Sequence, residues 1–384
     1  MAKLTAFFLS LLMFFFPALN IPEANVDSSA FNTEYTNVFV HGFSGWGEYD
    51  LFNRFFPYWG VNNGDLMKYL SARGFECHAA SVSPSASAWD RACELYAQLT
   101  GTRTDYGEAH SKRCKHDRYG KDYSDNPLID EWNAENKINL FGHSFGGATV
   151  RLLAHLMANG DSDEKSTGNN VSPLFEGGKA DFIYSVVTLS APHNGTSSYN
   201  IQQELDSDPN ASVQEKMLAQ TILGIGNATA GTRTEDDTAI YEMSIDNALA
   251  LNEKISTVDG IYYFSFACDG TVRGDDGVCR PDDGIISGMY LVAANRICNY
   301  TGTTANGYVI DERWQANDGL VNTYSALAPL GAPSADFDKD NVQTGVWNIM
   351  PIQKGNHTTL QGGMTDYFNC RIFYVDFLSF LNSL

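Results

Sequence analysis

The sequence predicts an α/β fold with a mostly parallel central sheet and helices on both faces. Short runs rich in β-branched and aromatic residues alternate with helical patterns along the chain, and strands separated by helices pair in parallel. The chain has 384 residues, of which 43% are hydrophobic, so it can bury a full core. No internal repeat, low-complexity tract or linker divides it, and we expect one domain over residues 30–384.

The individual elements follow from these patterns. The runs typical of strands are TNVFVHGF, ECHAASV, INLFGHS, FIYSVVTLSAP and IYYFSFAC, with VWNIMPI as a late candidate. The helical patterns are GDLMKYLSARG, WDRACELYAQL and GGATVRLLAHLMANG. The polar segment at about 196–245 contains one amphipathic candidate, SVQEKMLAQTILG, in which Ser212 and Glu215 form a capping box. It is either a surface helix packed on the core or a mobile cover over a site.

The amino terminus has the pattern of a secretory signal peptide. Lys3 precedes the apolar run Leu4 to Phe16, which is too short to span a bilayer comfortably. We expect a signal peptide of about residues 1–20, cleaved near 18–25, and a secreted, extracellular product; an uncleaved anchor is the alternative. After its removal we expect no integral membrane segment.

The formal charge of −21 limits the classes of partner. It argues against nucleic acid, whose phosphates would be repelled, and against electrostatic docking on anionic lipid. Apolar contact with a neutral lipid surface stays open. No feature indicates an obligate protein partner.

Cysteines and glycosylation sequons fit a secreted chain. Of the seven cysteines, we expect Cys268 and Cys279, which flank a turn-rich loop, to form a disulfide. Six N-x-S/T sequons indicate a eukaryotic secretory route and a glycoprotein. They occur at Asn170, Asn194, Asn210, Asn227, Asn299 and Asn356.

Ser144 is the candidate nucleophile. It is the serine of a G-x-S-x-G motif that lies between a buried strand pattern and a helical pattern, which is the context of a nucleophile elbow. Gly142 and Gly146 would allow strand and helix to approach closely, and Gly147 would allow still closer packing. The motif alone is common by chance, so its partners decide the interpretation.

The base and the acid should follow the serine in the chain. Of the later histidines, His155 lies on the elbow's own helix, and His193 has no late strand before it to supply an acid. His357 is therefore the best base. Asp318, in ANDGLVN, is the candidate acid, although Asp-Gly is also an ordinary turn sequence.

An oxyanion site requires two backbone amides. A loop that follows the first strong strand carries Phe43, whose N–H could meet the oxygen that develops beside Ser144. The amide of Phe145, at the start of the helix, would be the second donor.

Six segments carry a resemblance to a known family: VHGFSGWG, SAWDRACELYAQLTG…DYGEAH, GHSFGG, VSPLFEGG, APHNGT and NDGLVN. In this order they resemble the secreted thermoalkalophilic lipases of bacteria, over about residues 37–380. The resemblance implies an α/β-hydrolase fold with a lid insertion at about 196–245 and triacylglycerol lipase activity. It implies Ser144 as nucleophile, His357 as base, Asp318 as its orienting acid, and Phe43 as an oxyanion donor.

A zinc site is also implied. Asp90, His110 and His116 carry oxygen and imidazole ligands that suit zinc, although each could be an ordinary surface or helix-start residue. In the family, residues matching these three bind a structural zinc with a fourth aspartate from a later segment. That segment is not recognisable here, and Asp236 or Asp237 is a weak substitute. Cys114 could complete the site, or pair with Cys77 or Cys93.

The family's calcium site is expected to be lost or remodelled. Thr359 stands where the family has an acidic residue, and Asp366 is displaced. Calcium usually needs carboxylates among six to eight oxygen ligands.

The function predicted is that of a secreted serine esterase cleaving neutral acylglycerols at an oil–water interface. A phospholipase or acyltransferase, or a short-chain esterase, would use the same triad. A binding relative without catalysis is disfavoured because all three triad residue types are present.

Overall fold

The computed structural model describes residues 26–62, 64–168, 170–207, 209–210, 212–213, 233–363 and 368–384. The expected signal peptide lies outside these residues, as does most of the candidate lid helix at 212–224. Within the described ranges, every helix is too short or too polar to cross a bilayer.

Seven parallel strands form the central sheet. In chain order they are β1 Thr36–Val40, β2 Cys77–Ala80, β3 Ile138–His143, β4 Ile183–Leu189, β5 Tyr262–Phe266, β6 Ser334–Asp336 and β7 Trp347–Ile349. Their order across the sheet is β6-β7-β5-β4-β3-β1-β2, and every pairing is parallel. The predicted α/β fold is confirmed, and β6 is a strand that the sequence patterns did not indicate.

Side chains on the central strands alternate between two hydrophobic clusters, one on each face of the sheet. In β3, Leu140 belongs to the first cluster and Phe141 to the second. In β4, Val186 and Val187 divide in the same way. Because successive side chains of a strand point to opposite faces, both faces are covered.

Helices cover both faces. In chain order they are α1 Leu66–Ser71, α2 Ala88–Thr100, α3 Glu108–Cys114, α4 Gly146–Asn159, α5 Ser162–Ser166, α6 Pro173–Glu176, α7 Ser197–Ser207, α8 Ala239–Glu242, α9 Ile245–Asn252, α10 Met289–Cys298, α11 Thr323–Leu327 and α12 Cys370–Asn382. Buried residues of α2 and α4 join the first cluster, and those of α1 and α12 join the second.

Short strand pairs and 3-10 helices lie outside the central sheet and the α-helices. Two-stranded pairings join Arg103–Asp105 with Tyr119–Asp122, Cys268–Asp269 with Gln353–Lys354, Thr271–Arg273 with Cys279–Pro281, and Gly302–Thr303 with Val309–Ile310. Short 3-10 helices lie at Ser28–Ala30, Leu51–Arg54, Ala180–Phe182 and Glu312–Trp314.

Capping residues set both ends of helix α2. Ser87 is the N-cap and accepts a hydrogen bond from the backbone N–H of Asp90. Gly101 ends the helix in the left-handed conformation, with its N–H bonded to the carbonyl of Ala97. These caps fix the first turn of α2, which carries two residues of the sites described below.

The predicted Cys268–Cys279 disulfide is wrong. The sulfur of Cys279 instead lies 2.7 Å from that of Cys298, and Cys268 is packed in the second hydrophobic cluster. Proximity along the sequence suggested the first pairing, whereas helix α10 folds back to supply the actual neighbour.

Two of the six sequons are buried. Asn194 is fully buried, and its side-chain amide donates to the carbonyl of Ala328. Asn356 is buried too, and its amide donates to the carbonyl of Ile285. Both amide nitrogens are therefore buried in hydrogen bonds within the protein, where a glycan cannot be attached. Asn170, Asn210 and Asn299 are exposed, and Asn227 lies outside the described residues.

Three buried polar side chains pin the register of adjacent strands. The Asn139 amide donates to Asn37 Oδ1 at 3.0 Å, and the Ser185 hydroxyl donates to Asn139 Oδ1 at 2.7 Å. These residues pair directly across β1, β3 and β4. A slip by one residue would leave them unpaired in the core, so they favour the alignment that sets the carboxyl ends of β1 and β3 side by side.

We predict that Asn139→Ala lowers the free energy of unfolding by about 1–3 kcal/mol, because it leaves the Asn37 and Ser185 groups buried without their partner. Chemical denaturation measures this loss. The double variant Asn37→Ala/Asn139→Ala should lose less than the two single variants added together, since the two groups share one hydrogen bond. Strictly additive losses would contradict the coupling.

Candidate active site and metal cluster

Ser144 lies in a sharp turn between β3 and α4. Its φ of +53° is in the left-handed region, which is unusual for a residue with a side chain. Its N–H is bonded to the carbonyl of Leu189 on β4, at 2.9 Å. The strand–turn–helix context predicted for a nucleophile elbow is present.

The glycines of the motif are required by close backbone approach. A Cβ on Gly142 would lie 2.4 Å from the carbonyl oxygen of Gly146, and one on Gly146 would lie 2.4 Å from that of Val40. A Cβ on Gly147 would lie 2.4 Å from the Ala191 Cβ. All three contacts are closer than real Cβ atoms tolerate, so helix α4 reaches this position against the sheet only without side chains here.

Asp318 and His357 are brought together from positions far apart in sequence. His357 Nδ1 lies 2.9 Å from Asp318 Oδ2, and the backbone N–H of His357 donates to the carbonyl of Asp318 at 2.8 Å. Asp318 Oδ1 accepts the N–H groups of Leu320 and Val321. The Asp318 turn thus holds one carboxylate oxygen, Oδ1, and the other oxygen, Oδ2, is left to accept from the His357 imidazole. Since a carboxylate accepts, Nδ1 is the donor and Nε2 is left free to take a proton.

The other two histidines that follow the elbow have structural partners. The His193 ring is fully enclosed between Arg151 and Thr188, and it packs on Trp347. His155, on α4, lies beside Ser256. These contacts agree with the choice of His357.

Neighbours of the motif form a hydrogen-bonded chain that the sequence analysis missed. Gly42 N–H donates to the Tyr58 hydroxyl at 3.0 Å, and that hydroxyl lies 2.7 Å from His143 Nδ1. His143 Nε2 lies 2.8 Å from the carbonyl oxygen of His357. Because a carbonyl only accepts, Nε2 carries the proton and Nδ1 accepts from Tyr58.

This chain joins the three loops of the candidate site. Gly42 belongs to the loop after β1, His143 precedes Ser144, and His357 is the candidate base. Burial, with His357 nearby, lowers the pKa of His143 to about 3, so the ring is neutral at ordinary pH and keeps this single tautomer. Tyr58 lies in a loop with no motif of its own, which is why its role could not be read from the sequence.

The loop after β1, which carries Phe43, lies against Ser144. A Cβ on Gly42 would lie 2.7 Å from Ser144 Cβ and 3.2 Å from its Oγ, so the loop touches the serine. The Gly42 carbonyl is held on the other side, 2.8 Å from His41 Nδ1 and 3.4 Å from an Arg91 nitrogen. In a trans peptide the C=O and the next N–H point in opposite directions. The Phe43 N–H is therefore turned away from Arg91 and His41.

Arg91 is a second residue that the sequence analysis missed. It is fully buried on α2 and donates to the carbonyls of His41 and Ser83 as well as Gly42. Burial lowers its pKa to about 10, which leaves it charged at neutral pH. A buried guanidinium whose partners are mostly backbone carbonyls holds the backbone in place, and Arg91 holds the loop predicted to supply an oxyanion donor.

Phe145 is the N-cap residue of α4. Its N–H therefore has no acceptor within the helix. The first turn of a helix presents such groups to an anion, which fits the predicted second oxyanion donor.

The predicted metal ligands converge with a fourth group. His110, Cys114, His116 and Asp237 lie close together, and Asp90 completes the group. Asp237 had only weak support in the sequence as a metal ligand. In the structure it accepts a hydrogen bond from the Ser87 hydroxyl, and Arg233, four residues before it, donates to Asp90 at 2.8 Å. Asp237 therefore lies with the predicted ligands, in the segment that leads into α8.

Each of the two histidines lies within 3.1–3.6 Å of a carboxylate oxygen of both Asp90 and Asp237. His110 Nε2 lies 3.1 Å from Asp90 Oδ1 and 3.4 Å from Asp237 Oδ1, while His116 Nε2 lies 3.6 Å and 3.5 Å from the same two carboxylates. Ligands at roughly 2.0–2.2 Å from a tetrahedral zinc are about 3.4 Å apart. His116 Nε2 and Asp237 Oδ2 are buried without a hydrogen-bond partner. The Cys114 sulfur lies 3.9 Å from His110 Nδ1 and belongs to the same cluster as His116 and Asp237.

Residues from two of the sequence segments support this cluster. Trp89 stacks between the His110 ring and Phe175, with ring centroids 5.1 Å and 5.3 Å away. The buried Glu164 carboxylate accepts the backbone N–H groups of Ala109 and His110, which holds the start of α3. The segments WDRACELYAQL and VSPLFEGG thus meet at the cluster.

Thr359 does not offer a carboxylate at the position expected for calcium. It is buried, and its hydroxyl accepts the N–H of Asn356 in its own turn. Asp366 lies outside the described residues, so the loss of the calcium site stays a prediction.

Known proteins resemble this chain over most of its length. The family model described as "Lipase-like, C-terminal domain" matches residues 33–217 and 226–374. Lipase 2 of Staphylococcus aureus is 31% identical over 357 residues, which covers 84% of this chain and 49% of that protein. The chain therefore spans about half the length of the curated relatives it matches.

Solved structures agree over the full domain. EstA from Clostridium botulinum is 32% identical with a TM-score of 0.79, covering 97% of this chain and 94% of that one. The Staphylococcus hyicus lipase is 28% identical with a TM-score of 0.74, covering 94% and 98%. These similarities confirm the α/β-hydrolase-like fold and the resemblance to bacterial lipases. The chain belongs to the family of lipase-like C-terminal domains.

Proposed function

We propose that this chain is a serine carboxylic-ester hydrolase that cleaves acylglycerols. The observation that carries the proposal is the oriented pair of Asp318 and His357, whose loop is bonded to the residue next to Ser144. The relatives named as lipases support the same reaction class.

The residues have distinct roles in the proposed reaction. Ser144 Oγ attacks the ester carbonyl while His357 Nε2 takes its proton, and Asp318 orients and stabilises the imidazolium. The Phe43 and Phe145 amides stabilise the oxyanion of the tetrahedral intermediate. His357 then protonates the leaving alcohol, and a water molecule activated by the same histidine releases the fatty acid.

A neutral lipid substrate suits the surface near this site. Leu51 and Phe55 are 68% and 70% exposed on a loop that follows the oxyanion segment. Phe52 of the same loop packs on Trp46. Exposed apolar side chains favour contact with a neutral oil surface, while the charge of −21 disfavours anionic lipid.

Ser144→Ala should abolish covalent labelling by a serine-directed phosphonate and lower hydrolysis of emulsified triacylglycerol by at least about 1000-fold, since the nucleophile is removed. Mass spectrometry of the labelled peptide and fatty-acid titration measure the two effects. Ser190→Ala is the matched control, because Ser190 also has a left-handed φ, at the end of the neighbouring strand β4.

Two outcomes would contradict the proposal. Undiminished hydrolysis by Ser144→Ala would remove the nucleophile assignment. Wild-type protein active on phospholipid vesicles or dissolved short-chain esters, and inactive on emulsified triacylglycerol, would replace the substrate class by one of the alternatives.

Tyr58→Phe should slow phosphonate labelling of Ser144 by about tenfold while the protein stays folded. The change leaves Gly42 N–H and His143 Nδ1 without their shared partner, and so loosens the link to His357. Tyr263→Phe is the control: the Tyr263 hydroxyl is also buried and accepts one backbone N–H, from Val258, away from the site. Equal effects of the two changes would assign Tyr58 to general stability alone.

We also propose that Asp90, His110, His116 and Asp237 hold a zinc ion. The histidine–carboxylate distances of 3.1–3.6 Å, close to those between ligands of one zinc ion, and the two buried atoms without hydrogen-bond partners support this assignment. Zinc bound there would act structurally, because four protein ligands leave no open position for substrate.

Asp237→Asn should lower the zinc content of purified protein from about one ion per chain and lower the temperature of unfolding. Asp236→Asn, which changes the exposed neighbouring carboxylate, should keep both values. Elemental analysis and calorimetry measure them. Wild-type protein free of zinc after purification without chelators, and unchanged on adding zinc, would exclude the site.

Secretion remains part of the proposal. The apolar run that starts at Leu4 supports a cleaved signal peptide. Glycans, where added, would be limited to sequons outside the buried Asn194 and Asn356. The segment at about 196–245 stays a candidate lid.

A further inference from the structure

Two cysteines outside the candidate active site face each other. The sulfurs of Cys279 and Cys298 are 2.7 Å apart, and both residues are buried. This separation is well inside van der Waals contact and close to the 2.03–2.05 Å of a disulfide. Cys279 lies on the small ribbon Thr271–Arg273/Cys279–Pro281, and Cys298 ends helix α10.

Two neighbouring polar atoms lie farther from the sulfurs than the sulfurs lie from each other. Cys279 Sγ lies 3.5 Å from the carbonyl oxygen of Gln315, and Asn317 Nδ2 lies 3.6 Å from Cys298 Sγ. Contact with Cys298 lowers the pKa of Cys279 to about 7, which favours the thiolate that thiol–disulfide exchange requires. No hydrophobic packing role explains why two thiols are turned toward one another here.

We propose that Cys279 and Cys298 form a disulfide in the mature protein. The bond fastens the ribbon to helix α10 directly beneath the turn that carries Asp318, because Asn317 contacts the Cys298 sulfur and precedes Asp318. Hydrogen bonds also join these parts: the Arg273 guanidinium donates to Gln315 Oε1, and the Asn317 amide donates to the carbonyl of Ala294 on α10.

The bond forms by exchange with an external disulfide, such as oxidised glutathione or a disulfide-bearing oxidoreductase. The Cys279 thiolate attacks one sulfur of that disulfide, forms a mixed disulfide and releases one thiolate. Cys298, after losing its proton, attacks Cys279 Sγ and releases the second thiolate. The two cysteines lose two electrons and two protons, and the external disulfide becomes two thiols.

Thiol counting tests the proposal directly. The full chain is produced in an oxidising compartment, denatured without reductant and alkylated. Five of the seven cysteines should react in the wild type. Cys279→Ala and Cys298→Ala should each expose all six remaining thiols, whereas Cys268→Ala, the control, should expose four of six.

Peptide mapping identifies the partners. Trypsin without reductant should yield peptides 274–296 and 297–313 as one linked species, because the Arg280–Pro281 bond resists cleavage. Reduction should separate them. Cys279→Ala should also unfold about 5 °C below the wild type, and below Cys268→Ala.

Two results would contradict the proposed disulfide. Seven reactive thiols in wild-type protein made under oxidising conditions would overturn the proposal. So would a linked species that joins Cys279 or Cys298 to any other cysteine. Because these readouts are chemical, they do not depend on the proposed hydrolase activity.

Discussion

The neutral ring of His143 connects the parts of the candidate site that no local sequence pattern could align. It accepts from Tyr58, which holds Gly42, and it donates to the backbone of His357. Each contact uses one ring nitrogen, and burial keeps the ring in one protonation state. The glycines around Ser144 set the position of the serine, but the candidate base, His357, lies 213 residues further along the chain. The His143 side chain links that base to the serine's turn, while Asp318 holds the base from the other side.

Much of the architecture could be predicted from local patterns. Strong alternation and short apolar runs identified the central strands, and the glycines around Ser144 indicated a tight strand-to-helix turn. The strand and turn predictions succeed because local sterics and hydrophobic burial act on neighbouring residues. The choice of His357 as base used chain order, the place of His155 on the elbow's own helix and the lack of a late strand before His193, and it stays a prediction. Local patterns could not identify Asp318 as the acid, because Asp-Gly is a common turn sequence. Only the resemblance to the lipase family separated Asp318 from the other acidic residues.

The features that could not be predicted depend on tertiary neighbours. Tyr58 and Arg91 act on backbone groups, which every residue carries, so no sequence signature marks them. Asp237 had only weak support in the sequence because the segment leading to it has no recognisable motif, although the fold places it beside His110 and His116. The cysteine pairing failed for a similar reason. Spacing along the chain favoured Cys268, whereas helix α10 brings Cys298 to Cys279.

Helix α2 has a property that follows from two adjacent residues. Asp90 points into the cluster of histidines, and Arg91 points into the loop that touches Ser144. Consecutive helical residues project about 100° apart, so one turn serves two sites on different sides of the same rod. Any tilt of this turn moves both sites together. The proposed zinc site and the proposed oxyanion loop are therefore joined through one helical turn, so that, under the proposed function, a cation too distant to meet substrate would still affect how well the oxyanion pocket is formed.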